Sequence, residues 1–236
     1  MDRLNYQWQN YNQGKRCAGL IVLQTDEVVE AEVRAWLPQS INLYHTRIPN
    51  QDIVTEETLA EMGRQIPAVC RLFPKHAPID VIAYCCTSGA TVIGESVVEK
   101  GVREVFPDAK VTNPLTAAKA QLQSLNTKRI GLLTPYIPSV TQAMSDHLHQ
   151  HGFDIVSAAS FYEENDFDVC HIGSESIKSA VEHVAAKADC DAIFASCTNL
   201  RTHGILDLMS RKSGIPIISS NAALAWHISE LSDSLS

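Results

Sequence analysis

Two nine-residue stretches decide the architecture: Asp80-Val-Ile-Ala-Tyr-Cys-Cys86-Thr-Ser88 and Asp191-Ala-Ile-Phe-Ala-Ser-Cys197-Thr-Asn199. Each runs from an acidic turn residue through four or five apolar positions into a Cys-Thr pair. Short apolar runs bounded by turn residues read as strands buried on both faces of a parallel sheet. The two cysteines lie 197 − 86 = 111 residues apart. A second pair of stretches, Gly19-Leu-Ile-Val-Leu-Gln24 and Gly131-Leu-Leu-Thr-Pro-Tyr136, repeats at nearly the same shift, 131 − 19 = 112. Two segments that agree on the offset indicate a duplicated α/β unit.

Working outward, strands are expected at 18–23, 41–46, 81–84, 110–112, 129–134, 154–160, 192–195 and 215–219. Helical periods fill the intervals at 27–36, 55–72, 91–105, 114–125, 139–151, 174–188, 200–213 and 222–232. The strand list divides into two fours. The predicted fold is therefore α/β, two pseudo-symmetric flavodoxin-like domains, each with a four-stranded parallel sheet and with the active site in the cleft between them. The first lobe is expected over 17–113 and the second over 114–236, with the final helix free to pack back onto the first lobe. Residues 1–16, rich in Asn, Gln and Tyr, form a polar arm.

Composition narrows the function classes. At 45% hydrophobic the chain can bury a full core, which excludes a disordered protein. The formal charge of −8, with no basic cluster, argues against a nucleic-acid partner. No apolar run approaches a membrane span and the opening carries no signal core, so a cytoplasmic protein without membrane contact is expected. Seven cysteines without a C-x-x-C pair fit neither a disulfide framework nor a zinc site. The histidines at 147, 149, 151 and 171 show only helical spacing, and no metal is expected. No Gly-rich phosphate loop, G-x-G-x-x-G or G-x-S-x-G is present.

Cys86 and Cys197 each end a predicted strand and open a predicted helix, where free N–H groups and the helix dipole favour an anion. A thiol there is expected to have a lowered pKa. The same N–H groups, with the hydroxyls of Thr87, Ser88 and Thr198, can hold a carboxylate and stabilise enediolate charge. Asn199, next in the second turn, is counted with the substrate-binding positions. A single strand-end cysteine most often packs in a core, but a matched pair on one cleft points to catalysis. Cys85 alternates to the other side of its strand and is expected in the core.

These residues resemble the cofactor-independent Asp/Glu racemase superfamily, in the branch that holds maleate cis-trans isomerase, arylmalonate decarboxylase and the ectoine-utilisation protein. The resemblance rests on Gly19 to Asp26, Arg47-Ile-Pro, Val54 to Met62, Cys86-Thr-Ser-Gly89, Pro135-Tyr136 and Ser196-Cys197-Thr-Asn-Leu200. It implies one cysteine on each side of a small carboxylate substrate, with no cofactor. Decarboxylases of this branch carry glycine where this chain has Cys86, which disfavours that reading. The resemblance also implies that Tyr136 bonds the substrate carboxylate and that Asn165 matches a substrate-binding Asn.

Gln24, Thr25 and Asp26 fill the first half's counterpart of the Tyr136 loop. Where the isomerases have Asn, this chain has Asp26, an acid that can receive a substrate ammonium or simply cap a helix. On that residue the first expectation is a two-cysteine racemase of a small carboxylate, an amino acid, by 1,1-proton transfer. The alternative is maleate cis-trans isomerisation by cysteine addition and bond rotation; a decarboxylase or a non-catalytic binder follows behind. Arg47 and Arg201 are candidates for a distal carboxylate. The oligomeric state is left open, a homo-oligomer included.

Overall fold

The computed structural model describes residues 1–53 and 55–234; Val54 of the motif above and the last two residues of the expected second lobe lie outside the described residues. The first half runs β1 (Arg16–Leu23), α1 (Val29–Trp36), β2 (Ile41–Ile48), α2 (Glu56–Cys70), β3 (Val81–Cys85), α3 (Thr87–Ile93), α4 (Glu95–Arg103), β4 (Lys110–Thr112) and α5 (Pro114–Ser124). The second continues with β5 (Arg129–Thr134), α6 (Pro138–Gln150), β6 (Asp154–Ser160), α7 (Asp166–Val169), α8 (Ser174–Lys187), β7 (Ala192–Ala195), α9 (Leu206–Ser213), β8 (Ile217–Ser219) and α10 (Ser220–Asp233). The strands form two four-stranded parallel sheets of identical topology, β2-β1-β3-β4 and β6-β5-β7-β8.

The burial pattern explains the strand order. Every residue of β3 and β7 is buried, and seven of the eight in β1, because helices cover both faces of these inner strands. The edge strands β2 and β6 mix half-buried and exposed positions. Both quoted stretches thus become the strand next to the centre of their sheet, and both cysteines emerge at its carboxyl end. The halves interlock through α10, which packs on α1, α5 and β3 of the first half. The arm before β1 is exposed, and its Asn12 side chain meets Asn42 and Tyr44 on β2.

Two expected helices differ. The single helix at 91–105 is two: α3 starts at once after Cys86, and Gly94, at φ 86°, breaks it from α4 in a conformation L side chains avoid. The helix expected from 200 begins only at Leu206. Cys197 has φ 141°, which no helix entry accepts, and Gly204 at φ 79° turns the chain again before α9. Residues 198–205 are instead held by hydrogen bonds from outside. The buried carboxylate of Glu32 on α1 accepts from Thr202 N (2.6 Å), His203 N (2.7 Å), Thr202 Oγ1 (2.9 Å) and Asn221 Nδ2 (2.9 Å). Asn221 also donates to Thr198 O at 2.8 Å.

Candidate active site

The strand ends converge as open parallel sheets require, with ligand-binding side chains beyond the carboxyl ends. One cavity is lined by Cys86, Thr87 and Ser88 from the first turn and by Cys197 and Thr198 from the second, with Tyr136 after β5. Leu23, and Thr58, Leu59 and Met62 on α2, all inside the quoted motifs, also line it, and loop residues that the sequence did not single out complete it: Asn50, Gln51 and Ile53 after β2 and Asp166 at the start of α7. The free volume is about 10 Å³, room for roughly one water molecule. Two loops from opposite halves close over it: Ile53 pairs with Asn165 in an antiparallel bridge, and Asp166 N donates to Asp52 O at 3.0 Å.

The two turns differ in detail. Cys86 is the N-cap of α3: Gly89 N–H donates to its sulfur at 3.2 Å and the Ser88 hydroxyl lies 3.6 Å away. Gly89 is required by close approach, since a Cβ there would sit 2.6 Å from Tyr84 Oη and 2.9 Å from Cys86 Sγ. Cys197 caps no helix. Its backbone N–H donates to Ser220 Oγ at 3.0 Å, and the Thr198 hydroxyl donates to Cys85 O at 3.3 Å, tying the second turn to the end of β3.

The lowered thiol pKa expected from helix N-termini is corrected by the structure. Burial pushes Cys86 up to about 12, against the pull of the Ser88 hydroxyl and Gly89 N–H, and the nearby Asp166 and Asp26 carboxylates add to the rise. Burial also raises Cys197 well above the ordinary thiol range, with Asp166 adding to it and the Asn199 N–H and Tyr136 hydroxyl opposing. Desolvation outweighs the dipole, so both sulfurs of the closed cavity are thiols. The buried Tyr136 hydroxyl lies against Cys197 and Ser196.

Of the other positions singled out, Gln24, Thr25, Asp26, Arg47, Asn165 and Asn199 do not line the cavity. Asp26 Oδ1 accepts from Val28 N and Val29 N, both at 2.8 Å, capping the turn into α1; burial raises its carboxyl to about 6, and those two N–H groups pull it down. Thr25 donates its hydroxyl to Asp166 Oδ2, and Asn199 Nδ2 donates to Asp166 O at 2.7 Å. Arg47 holds the β1 end, donating to Leu23 O, Gln24 O and Asp26 O and pairing with Glu30 at 2.6 Å. Gln24 is exposed. Asn165 caps α7 by accepting from Phe167 N. Arg201 donates to Cys170 O and lies 3.7 Å from Glu27.

All seven cysteines are unpaired, and Cys85 is buried in the core. Among the described residues one trio offers metal-ligating atoms within 4.8 Å of one another: Glu95, His147 and His151. The Lys119 ammonium already stands there, bonded to Glu95 Oε2 and 3.1 Å from His147 Nε2. No helix of the described residues is long and apolar enough to cross a membrane.

Paired α/β halves that deliver one cysteine each to a shared cavity define the class, an enzyme of the Asp/Glu racemase superfamily. The family described as arylmalonate decarboxylase matches residues 75–234, and the chain belongs to it. Maleate isomerase of Nocardia farcinica is 25% identical over 225 residues, covering 91% of this chain and 89% of that one. A solved structure of the N. farcinica maleate cis-trans isomerase, a cysteine-to-serine mutant with a covalently bound succinylcysteine intermediate, superposes with a TM-score of 0.84 at 26% identity, over 93% and 94% of the two chains. The maleate isomerase of Pseudomonas putida S16 shares the fold at TM-score 0.83, with 20% identity over 92% and 93%.

Proposed function

We propose that this enzyme isomerises the cis double bond of a small unsaturated carboxylate, with Cys86 as nucleophile and Cys197 as acid and base. The observation that carries the reading is the presence of both thiols on one cavity, one from each half. Cys86 is assigned as the nucleophile because its sulfur caps a helix and accepts from Gly89 N–H at 3.2 Å, which favours the thiolate; Cys197 also has donors, Asn199 N–H and the Tyr136 hydroxyl, but caps no helix. Cys86 gives up its proton to water before the cavity closes; its thiolate sulfur then bonds to one alkene carbon, and the π pair takes a proton from Cys197 on the neighbouring carbon. The new single bond rotates; Cys197 then removes the proton, the C–S bond breaks, and the trans product leaves with both cysteines restored. Tyr136, beside Cys197, and the hydroxyls of Thr87, Ser88 and Thr198 are the groups proposed to hold the substrate carboxylate. The chemistry needs no cofactor, and we place the division between lobes at 113/114.

Amino-acid racemisation, the first expectation from the sequence, depended on Asp26 reaching the cleft. Asp26 spends one oxygen on Val28 N and Val29 N and lines no part of the cavity. The similarity to maleate isomerases over nine-tenths of the chain supports the alternative instead. Proton NMR in deuterium oxide with maleate and with aspartate and glutamate tests the choice. Conversion of the cis acid to the trans acid is expected; α-hydrogen exchange of an amino acid without alkene turnover would overturn it.

A further inference from the structure

The cavity's polar walls are unequal. The turn side carries no charge and is lined by four hydroxyl side chains, Thr87, Ser88, Thr198 and Tyr136, of which Thr198 donates to Cys85 O and Thr87 shares a hydrogen bond with Ser220, while Ser88 and Tyr136 stand beside the two sulfurs. The loop side offers Asp166, the acidic side chain among the described residues that line the cavity, beside the amides of Gln51 and of Asn50, whose Nδ2 is spent on Thr25 Oγ1 and Gln51 O; burial raises the Asp166 carboxyl, and the Thr25 hydroxyl and Asn199 hold it ionised. No Lys, Arg or His is among those lining residues. The arginines near the site in sequence are engaged elsewhere, Arg47 with three carbonyls and Glu30, Arg64 with Glu61, and Arg201 with Cys170 O and Glu27. The Asp166 carboxylate is fixed in place by the Thr25 hydroxyl, itself bonded by Asn50 Nδ2 at 2.8 Å, and the buried Asp26 carboxyl lies near enough for the two acids to repel.

Such a cavity meets a dianion with repulsion at one end and no cation to offset it. A group that donates hydrogen bonds without carrying negative charge meets an oriented acceptor instead. From the charge on the loop wall we infer that the substrate carries one carboxylate and, across the double bond, a neutral hydrogen-bond donor of the carboxamide kind, which Asp166 selects. This deepens the isomerase reading and rests on it. An ammonium on a CH₂ next to the alkene would also suit Asp166, but it lacks the carbonyl that in a carboxamide conjugates with the double bond and activates it toward thiolate addition. Asp166 is thus a specificity residue, and it acts on binding rather than on the bond-making steps.

The test compares maleate with its monoamide on the wild type, Asp166→Asn and Asp168→Asn, the last an exposed charge two residues away on the same helix. Asp166→Asn keeps an oxygen to accept from the Thr25 hydroxyl and removes the charge. The wild type is expected to favour the monoamide in kcat/KM by about ten-fold or more, a discrimination ordinary for one buried charge contact. Asp166→Asn should narrow or reverse that ratio by about ten-fold, chiefly through a lower KM for maleate, and Asp168→Asn should leave it unchanged. Equal or better use of maleate by the wild type, or a ratio that Asp166→Asn does not move, would overturn the inference while leaving the isomerase reading intact. Turnover of neither compound by any of the three proteins would overturn both.

Discussion

The turns at Cys86 and Cys197 come from one repeated motif and end in different structures. After Cys86 the chain enters α3 directly, and the thiol caps that helix with Gly89 and Ser88 as partners. After Cys197 the backbone passes through φ 141° and the next helix waits until Leu206, while Glu32 and Asn221 hold the intervening residues. The sheets kept the symmetry of the duplication because buried inner strands tolerate little else. The turns, freed from sheet hydrogen bonding, diverged into a thiol that caps a helix and a thiol beside a tyrosine that caps none. A pseudo-symmetric fold therefore carries an asymmetric pair, the basis of the proposal that Cys86 attacks carbon and Cys197 moves the proton.

The largest effect expected from this asymmetry is kinetic. Cys86→Ala should lower isomerisation by about 10³-fold or more, since loss of a nucleophile removes the covalent route, and Cys197→Ala should match it in turnover. The two should part in single-turnover measurements, where only the Cys197 variant still consumes substrate, up to one equivalent. Equal residual behaviour of both variants would make the turns interchangeable. Next, Gly89→Ala drives a methyl into Tyr84 Oη and Cys86 Sγ, so about 10²-fold loss of activity and a stability loss of about 1–3 kcal/mol are expected, read from steady-state rates and urea melts. An unchanged rate would mean that the first turn is less tightly built than its geometry.

Glu32→Gln probes the other turn. It replaces either Oε1, which accepts from Thr202 N and His203 N, or Oε2, which accepts from Thr202 Oγ1 and Asn221 Nδ2, by an NH₂ group facing those donors, at a cost of about 2–4 kcal/mol. Turnover should fall while the rate of Cys86 alkylation by iodoacetamide in the same variant stays within about two-fold of wild type. A parallel fall in both would show that the two turns move together.

The smallest effect concerns the side of the molecule where α4 of the first half meets α6 of the second. Burial raises the Glu95 carboxyl, but hydrogen bonds from His147, Lys119 and Thr116 outweigh it and bring the pKa down from 4.5 to about 2. A carboxyl depressed by folding stabilises fully above its unfolded value. That contribution, about 1–3 kcal/mol, is lost as pH falls from about 4.5 through 2. Thermal melts of wild type and Glu95→Gln should therefore differ above pH 5 and converge near pH 2. A constant gap across that range would assign the difference to packing rather than charge.

Much of this was legible beforehand, for identifiable reasons. All eight strands follow from apolar runs between turn residues, and the offset of about 111 residues exposed the duplication and the cysteine pair. Gly94 was a visible helix breaker inside 91–105, and its effect was missed because periodicity continues on both sides of it. The irregular 198–205 segment depends on Glu32, far away in sequence, and no local pattern records such a partner. Asp166, Asn50 and Ile53 reach the cavity only because loops of opposite halves pair over it. Asp166 adjoins Asn165, which the sequence did single out, so an acid beside a candidate binding residue was the available signal. The thiol pKa values went the other way from expectation because closure desolvates both sulfurs, a property of the assembled cavity rather than of either turn.

The most direct test of unequal roles for the two cysteines is to trap the intermediate. Cys197→Ser is mixed with maleate and, separately, with its monoamide, quenched in acid and analysed by intact mass and peptide mapping. With the acid and base group blunted, a single adduct of substrate mass should accumulate on the peptide carrying Cys86, and the corresponding Cys86→Ser protein should show none. An adduct on Cys197 in Cys86→Ser, or none in either variant while the wild type turns over, would contradict the assignment of Cys86 as nucleophile.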